Sequence, residues 1–91
     1  MVNMVKQMEK MLELYQFEEC PYCKVVRTKL TDLGISYIIH NVSREQEERT
    51  DLEKISEQKF VPVLVDPNTD MMISDDDEKA VKYLEETYGA E

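Results

Sequence analysis

The chain has 91 residues, of which 42% are apolar and 34% are charged, and its formal net charge is −9. This length suits one small folded domain, and the acidic balance argues against nucleic acids and anionic membranes as partners, because both require a basic surface. No apolar run approaches the length of a membrane span, and the N-terminus lacks the apolar core of a signal peptide, so we expect a cytoplasmic protein.

The first predicted elements are a short helix, a strand and a second helix. Residues 1–11 carry methionines at spacings of three and four, which predicts an amphipathic helical segment ahead of the domain. The domain begins at residue 12, because residues 12–17 alternate apolar and polar side chains as a strand does. Pro21 is typical of the first position of a helix, and Gly34 is typical of its end. The apolar stripe of this helix is predicted to consist of Val25, Val26, Leu30 and Leu33.

The middle of the chain predicts a second strand and a charged helix. Residues 35–42 are rich in β-branched and aromatic side chains, and a strand–helix–strand unit with short turns predicts a parallel strand pair. Ser43 followed by Gln46 is a capping-box pattern, which predicts a helix reaching to about Gln58. We interpret most of its charged residues as a solvated face, namely Glu47, Glu48, Arg49, Asp51, Glu53 and Lys54.

The last third of the chain predicts a hairpin and a final helix. Residues 60–65 and 71–73 predict two strands, and the turn-forming residues 66–70 join them. A cap residue and acidic groups in residues 74–78 indicate the start of a helix that ends at Gly89. The order β-α-β-α-β-β-α predicts an α/β fold in residues 12–91, with helices flanking a four-stranded mixed sheet.

Both cysteines of the chain, Cys20 and Cys23, lie at the predicted junction of the first strand with its helix. A thiol reacts as the thiolate, and the unpaired N–H groups of a helix N-terminus favour that form. Lys24 and Arg27 add positive charge one turn further on. Cys23 is close enough to form a disulfide with Cys20 and is better shielded, so we predict that Cys20 attacks and Cys23 resolves.

Two other interpretations of the cysteine pair are a zinc site and a pair of inert buried thiols. A structural zinc site needs four ligands, and the chain offers only the two cysteines and His40, so zinc would require a dimer. Inert cysteines would not need a proline between them at a helix start. A Cys-x-x-Cys motif inside a βαβ unit of a cytoplasmic protein favours reversible redox chemistry. We therefore predict no metal and assign His40 no role.

The sequence resembles the glutaredoxin family of the thioredoxin-fold superfamily at three points. These are the dithiol motif Cys20-Pro21-Tyr22-Cys23, the pair Val61-Pro62, and the order of elements from residue 12 onward. The segments 14–17 and 83–89 are also similar to the N-terminal thioredoxin-like domains of glutathione transferases and their glutaredoxin-like relatives.

The resemblance implies a role for each residue of a glutathione site. Cys20 would form the mixed disulfide with the substrate, and Cys23 would resolve it. Tyr22 would flank the glutathione cysteine, Val61 would offer its backbone N–H and C=O to the peptide, and Pro62 would be cis beside the sulfurs. The start of the last helix would bind the γ-glutamyl end through residues chosen from Ser74, Asp75, Asp76 and Asp77. We select Asp76 and Asp77, with plain helix capping as the alternative explanation.

The function implied by the resemblance is that of a thiol–disulfide oxidoreductase. It would reduce protein disulfides or glutathione mixed disulfides without a bound cofactor, with glutathione or another small thiol as reductant. The expected partners are disulfide-containing proteins and low-molecular-weight thiols, and we expect a monomer.

Two departures from the family pattern keep alternatives open. Met72-Ile73 stands where glutaredoxins commonly carry Gly-Gly, and Glu18-Glu19 stands where many carry a lysine before the first cysteine. One alternative is therefore a thioredoxin-like oxidoreductase served by a thiol–disulfide reductase instead of glutathione. The other is a dimeric iron–sulfur carrier that holds its cluster with Cys20 and glutathione thiols.

Overall fold

The computed structural model describes residues 9–89. The helix predicted within residues 1–11 lies outside this part of the chain, except for residues 9–11, which are not helical. The strands are β1 (Leu12–Gln16), β2 (Tyr37–Asn41), β3 (Val63–Asp66) and β4 (Met71–Ser74). The helices are α1 (Pro21–Asp32), α2 (Thr50–Ser56) and α3 (Asp77–Tyr88), and a 3₁₀ turn, Gln46–Glu48, precedes α2.

The four strands form one mixed sheet in the order β2-β1-β3-β4. β1 and β2 run parallel, with Leu12 opposite Tyr37, as the strand–helix–strand unit predicted. β3 is antiparallel to β1, and β4 is antiparallel to β3 as the second half of a hairpin. This is the thioredoxin-like fold that the sequence predicted, and the prediction of the fold class is confirmed.

Alternate residues of the central strands supply a core on each face of the sheet. Leu12, Leu14 and Leu64 pack on one face with the buried residues of α1 and α3, and each fully buried leucine contributes roughly 1.5–3 kcal/mol. The other face holds a smaller cluster that consists of Cys20, Cys23, Leu52, Val61 and Val63. The two cysteines are therefore part of the packing between the sheet and α2.

Helix α1 begins and ends where the sequence indicated. Cys20 is its N-cap residue and Pro21 its first residue, while Gly34 adopts a left-handed φ of 69° just after the C-cap. Val26 and Leu30 are fully buried, as the predicted stripe requires. Val25 is 44% exposed, so its assignment to the buried stripe was wrong.

The charged segment after β2 does not form the single helix predicted for it. The 3₁₀ turn and α2 are separate, and α2 has only seven residues. The hydroxyl of Ser43 accepts from the Glu45 N–H at 3.1 Å and donates to the Glu48 carboxylate at 2.8 Å, so the predicted capping box with Gln46 is not formed. Glu57 adopts a left-handed φ of 61° and ends α2 before Gln58.

Arg49, which separates the 3₁₀ turn from α2, is only 5% exposed. Its guanidinium donates to three backbone carbonyls, those of Ser43 at 2.7 Å, Lys59 at 2.8 Å and Arg44 at 3.3 Å. The same group lies over the ring of Phe17, 5.3 Å from its centre. These contacts satisfy a buried cation, so the prediction that Arg49 belongs to a solvated face was wrong.

No helix among residues 9–89 is long and apolar enough to cross a membrane.

Candidate active site

The Cys20 sulfur accepts a hydrogen bond at the N-terminus of α1. Cys20 has an extended backbone (φ −66°, ψ 116°), and the Cys23 N–H donates to its sulfur at 3.2 Å. The side chain thereby takes the place of the serine or aspartate oxygen that commonly caps a helix. The Cys20 sulfur thus lies at the positive end of the helix dipole, with a backbone N–H directed at it.

The two cysteines are free thiols in different surroundings. Cys20 keeps 4% exposure, whereas Cys23 is fully buried. Burial raises the pKa of the Cys23 thiol to about 12, and the neighbouring Cys20 sulfur acts in the same direction. The Phe17 backbone N–H and the Arg27 charge oppose this rise in the pKa of Cys23. Cys23 is therefore held as a neutral thiol next to the sulfur that reaches the surface.

Val61 and Pro62 precede β3 (Val63–Asp66), and the first of them lies near the cysteines. The Val61–Pro62 peptide bond is cis, and Pro62 is fully buried. Val61 packs in the same apolar cluster as Cys20 and Cys23. No hydrogen bond between described residues uses the Val61 N–H or C=O. A backbone N–H and C=O that no described residue uses are thus placed beside the cysteines.

The start of α3 is tied to this backbone by one hydrogen bond. The Asp75 N–H donates to the Pro62 carbonyl at 2.8 Å, and Asp75 takes a left-handed φ of 56°. Asp76 caps the helix, because its carboxylate accepts from the Lys79 N–H at 3.0 Å, and Asp77 is the first helical residue. Capping therefore accounts for one oxygen of Asp76, as the alternative explanation proposed. Ser74 ends β4 opposite Val63.

Tyr22 is the most exposed of the large hydrophobic side chains, with 62% of its surface accessible. It lies in the first turn of α1 between the two cysteines in sequence. Phe60, next to Val61, is 47% exposed. Two aromatic side chains thus remain open to solvent on the segments that carry the cysteines and the cis-proline.

The acidic flank before Cys20 is partly neutralised by Arg44, which lies in the loop after β2. Arg44 makes two bonds to the Glu19 carboxylate, from Nε at 2.8 Å and from Nη2 at 2.6 Å. The bonds from Arg44 lower the pKa of Glu19, which therefore stays ionised and paired. Glu18, the other carboxylate that departs from the family pattern, is exposed and forms no ion pair within residues 9–89.

His40 lies apart from the cysteines, in β2. Its Nε2 contacts the Glu13 carboxylate at 2.8 Å, and its ring stacks on Tyr15 at a centroid distance of 4.4 Å. It lines a cleft of about 480 Å³ between β2 and α2. The structure does not bring His40 to Cys20, in agreement with the absence of an assigned role.

Arg49 and Gln16 are the site-supporting residues that the sequence analysis missed. Arg49 belongs to a charge-rich stretch, but the Thr50–Glu53 spacing is itself typical of a helix start and could have located the break at residue 49. Gln16 alternates in phase with Leu12 and Leu14, so the strand pattern alone places it on the buried face. Nothing in the sequence indicates the hydrogen-bond partners of either residue.

Comparison with known sequences finds similarity to glutaredoxins. A family model described as Glutaredoxin matches residues 12–68. An uncharacterised glutaredoxin-like 8.6 kDa protein of the rubredoxin operon of Clostridium pasteurianum is 32% identical over 54 residues, which cover 59% of this chain and 72% of that protein.

The solved structures with a similar fold include glutathione transferases. A glutathione transferase homologue of Drosophila mojavensis, with bound glutathione, is 26% identical with a TM-score of 0.78, over 89% of this chain and 36% of that one. A diazinon-metabolising glutathione transferase of the silkworm Bombyx mori is 26% identical with a TM-score of 0.73, over 87% of this chain and 39% of that one. The chain thus spans little more than a third of the length of these transferases.

Proposed function

Because the chain belongs to the glutaredoxin family, we propose that it is a thiol–disulfide oxidoreductase that works through the Cys20–Cys23 dithiol. Its substrates are protein disulfides or mixed disulfides with glutathione. The observation that carries the proposal is the 3.2 Å hydrogen bond from the Cys23 N–H to the Cys20 sulfur at the start of α1. A capped, slightly exposed sulfur with a second thiol behind it is what a reversible dithiol requires.

The proposed cycle begins with attack by the Cys20 thiolate on a substrate disulfide. A bond forms between Cys20 and one substrate sulfur, the substrate disulfide breaks, and the other sulfur leaves as a thiolate. The mixed disulfide is then resolved by Cys23, which forms the Cys20–Cys23 bond and releases the second substrate sulfur. A glutathione thiolate can instead attack the substrate sulfur of the mixed disulfide, which forms a glutathione–substrate disulfide and releases Cys20 as a thiolate. Only thiols and disulfides take part, and no bound cofactor is needed.

The surface beside Cys20, between Val61 and the start of α3, is the proposed binding place for the peptide part of glutathione. The unused N–H and C=O of Val61 suit an extended peptide, which would pair with them as a neighbouring strand does. Tyr22 would cover the glutathione cysteine, and the start of α3 with Asp76 and Asp77 would meet the γ-glutamyl ammonium group. The similarity to a transferase homologue whose structure contains glutathione supports this choice of ligand.

The charged side chains near Cys20 bear most directly on which reductant the protein uses. The Arg44–Glu19 pair reduces the repulsion that the acidic flank would exert on anionic glutathione. The exposed Glu18 acts in the other direction and favours the second candidate, an oxidoreductase reduced by a protein reductase. In either case the dithiol must be regenerated, which suits a reducing compartment such as the cytoplasm.

The proposal can be tested by turnover of a glutathione mixed disulfide, with glutathione and glutathione reductase supplied. Wild type is compared with Cys20→Ser and Cys23→Ser. We expect activity in wild type, none in Cys20→Ser, and retained activity in Cys23→Ser, since glutathione can replace the resolving thiol. If all three are inactive while wild type reduces a protein disulfide with dithiothreitol as the electron source, the reductant is not glutathione. Inactivity of wild type in both assays refutes the oxidoreductase function.

A further inference from the structure

Arg27 of α1 holds the turn that precedes Cys20 at two points. Its Nη1 donates to the side-chain oxygen of Gln16, and its Nη2 donates to the backbone carbonyl of Glu18 at 3.3 Å. Gln16 is itself fixed, because it is only 2% exposed and its amide donates to the Asn41 side chain in β2 at 2.6 Å. The guanidinium therefore links the helix that carries Cys23 to the strand and turn that lead to Cys20.

The position of Arg27 in α1 places its side chain next to that of the second cysteine, Cys23. Arg27 lies four residues after Cys23 in the same helix, so the two side chains are neighbours on one helix face. Phe17 lies between the two residues that the guanidinium binds, and its N–H group acts on the Cys23 sulfur. The charge of Arg27 and the N–H group that it helps to fix both lower the pKa of Cys23, against the effect of burial.

We propose that Arg27 is a positioning residue for the resolving step, in which Cys23 displaces the substrate from Cys20. The proposal rests on the dithiol function proposed above and adds a residue to one of its steps. In that step Cys23 loses its proton to solvent, and its thiolate forms a bond with the Cys20 sulfur. The bond between Cys20 and the substrate sulfur breaks, and the substrate leaves as a thiolate. Arg27 stabilises the Cys23 thiolate and holds the turn against which it forms.

The charge of Arg27 was expected from the sequence to favour the Cys20 thiolate, but the guanidinium binds Gln16 and the Glu18 carbonyl instead, so the first attack, by Cys20, should not depend on it. The hydrogen bond to the Cys20 sulfur comes from the Cys23 backbone, within the first turn of α1, and involves neither Arg27 nor Gln16. A change at Arg27 should therefore separate the two chemical steps. A residue that merely stabilised the whole domain would affect both steps together.

The two steps can be followed with dithiobis(nitrobenzoate) in a stopped-flow absorbance experiment on the reduced full-length chain. The first thionitrobenzoate is released when Cys20 attacks the reagent, and the second when Cys23 displaces the group left on Cys20. Cys23→Ser identifies the phases, because it can release only the first equivalent. The variants are Arg27→Gln, which removes the charge, and Arg27→Lys, which keeps it. Lys24→Gln is the matched control, since Lys24 is an exposed cation next to Cys23.

We expect Arg27→Gln to slow the second release roughly threefold and to leave the first unchanged. A threefold effect corresponds to a tenfold loss of the Cys23 thiolate, because the greater nucleophilicity of a more basic thiolate restores about threefold of the rate. The pH profile of the second phase should move upward in Arg27→Gln and return most of the way in Arg27→Lys. Lys24→Gln should leave the second release at the wild-type rate.

The proposal is overturned if Arg27→Gln slows both phases equally, leaves the second phase unchanged, or is matched by Lys24→Gln. Should Arg27→Gln fail to fold, Gln16→Met takes its place, because it releases the guanidinium from β1 and must slow the second phase alone. Failure of wild type to release a second equivalent would refute the dithiol function itself. Equal rates in wild type and variants would refute only the role of Arg27.

Discussion

Replacing Asp66 with asparagine should destabilise the fold strongly without touching the cysteines. Asp66 ends β3 and is 1% exposed. Its carboxylate accepts four hydrogen bonds, from the hydroxyls of Tyr83 at 2.6 Å and Tyr88 at 2.5 Å, and from the backbone and side-chain amides of Asn68 at 2.9 and 3.0 Å. The group therefore joins the end of α3 to the β3–β4 turn.

The expected cost follows from the two tyrosine bonds. A hydrogen bond to a charged group contributes about 1.5–3 kcal/mol, and the neutral amide of Asp66→Asn removes that charge from both. The asparagine oxygen can still accept from Asn68, and its NH₂ group can donate to a tyrosine oxygen. We therefore expect a loss of about 2–4 kcal/mol in the free energy of unfolding, near the lower end of what breaking a buried charge cluster costs.

The effect should also depend on pH in a defined direction. Burial alone raises the pKa of Asp66, but the hydrogen bonds from Tyr83, Tyr88 and Asn68 outweigh it, so the pKa of Asp66 is lowered in the folded protein. A carboxyl with a lowered folded pKa contributes its stability above the unfolded value of about 3.9 and loses it as the pH falls through the folded value. The difference between wild type and Asp66→Asn should therefore narrow below about pH 4.

Urea unfolding monitored by circular dichroism between pH 7 and pH 2.5 measures the loss of unfolding free energy and its dependence on pH. At pH 7 the urea midpoint of Asp66→Asn should lie roughly 2 M below that of wild type. Asp70→Asn is the matched control, because Asp70 lies in the adjoining turn, is exposed and has a left-handed φ of 62° that asparagine also accepts. A loss below about 0.5 kcal/mol in Asp66→Asn, or a difference from wild type that persists at pH 2.5, would refute the reasoning.

Two further predictions concern the cysteines and the buried arginine. At pH 7 the folded, reduced protein should take up one equivalent of iodoacetamide, and peptide mapping should locate it at Cys20. Cys23 should stay unlabelled because it is fully buried and its pKa is raised to about 12. Equal labelling of both cysteines would contradict this prediction. Arg49→Lys should lower the free energy of unfolding by about 1.5–3 kcal/mol, because one amine cannot reach the three carbonyls that the guanidinium joins. Urea unfolding measures this loss, and an unchanged urea midpoint would show that these bonds contribute little.

Local patterns predicted most of the fold and the centre of the site. The alternation in β1, Pro21 at the first position of α1 and Gly34 beyond its end are each encoded within a few residues, so period and capping rules located them. The placement of Cys20 at the N-cap followed from the same rules. The Val61–Pro62 pair was identified only through the resemblance, because a proline at a strand start is ordinary in itself.

The contacts that adjust the site are between residues far apart in sequence, and local rules do not reach them. Glu19 was noted only as a carboxylate at a position where many glutaredoxins carry a lysine, and its partner Arg44 lies 25 residues away in sequence. Arg49 was interpreted as solvated because its neighbours are charged, whereas the carbonyls of two loops fold around it. The burial of these groups is a property of the assembled chain and cannot be obtained from the pattern of charge.

The turn after β3 contacts both ends of the described chain, at the end of the sheet that lies away from the cysteines. Asn68 exchanges two hydrogen bonds with the backbone of Lys10, at 2.8 and 2.7 Å, and Asp66 binds Tyr88 at the end of α3. Neighbouring ends of this kind allow circular permutation, or insertion of the domain into a loop of another protein. A fluorescent protein joined at this end of the sheet would leave the dithiol facing away from the junction.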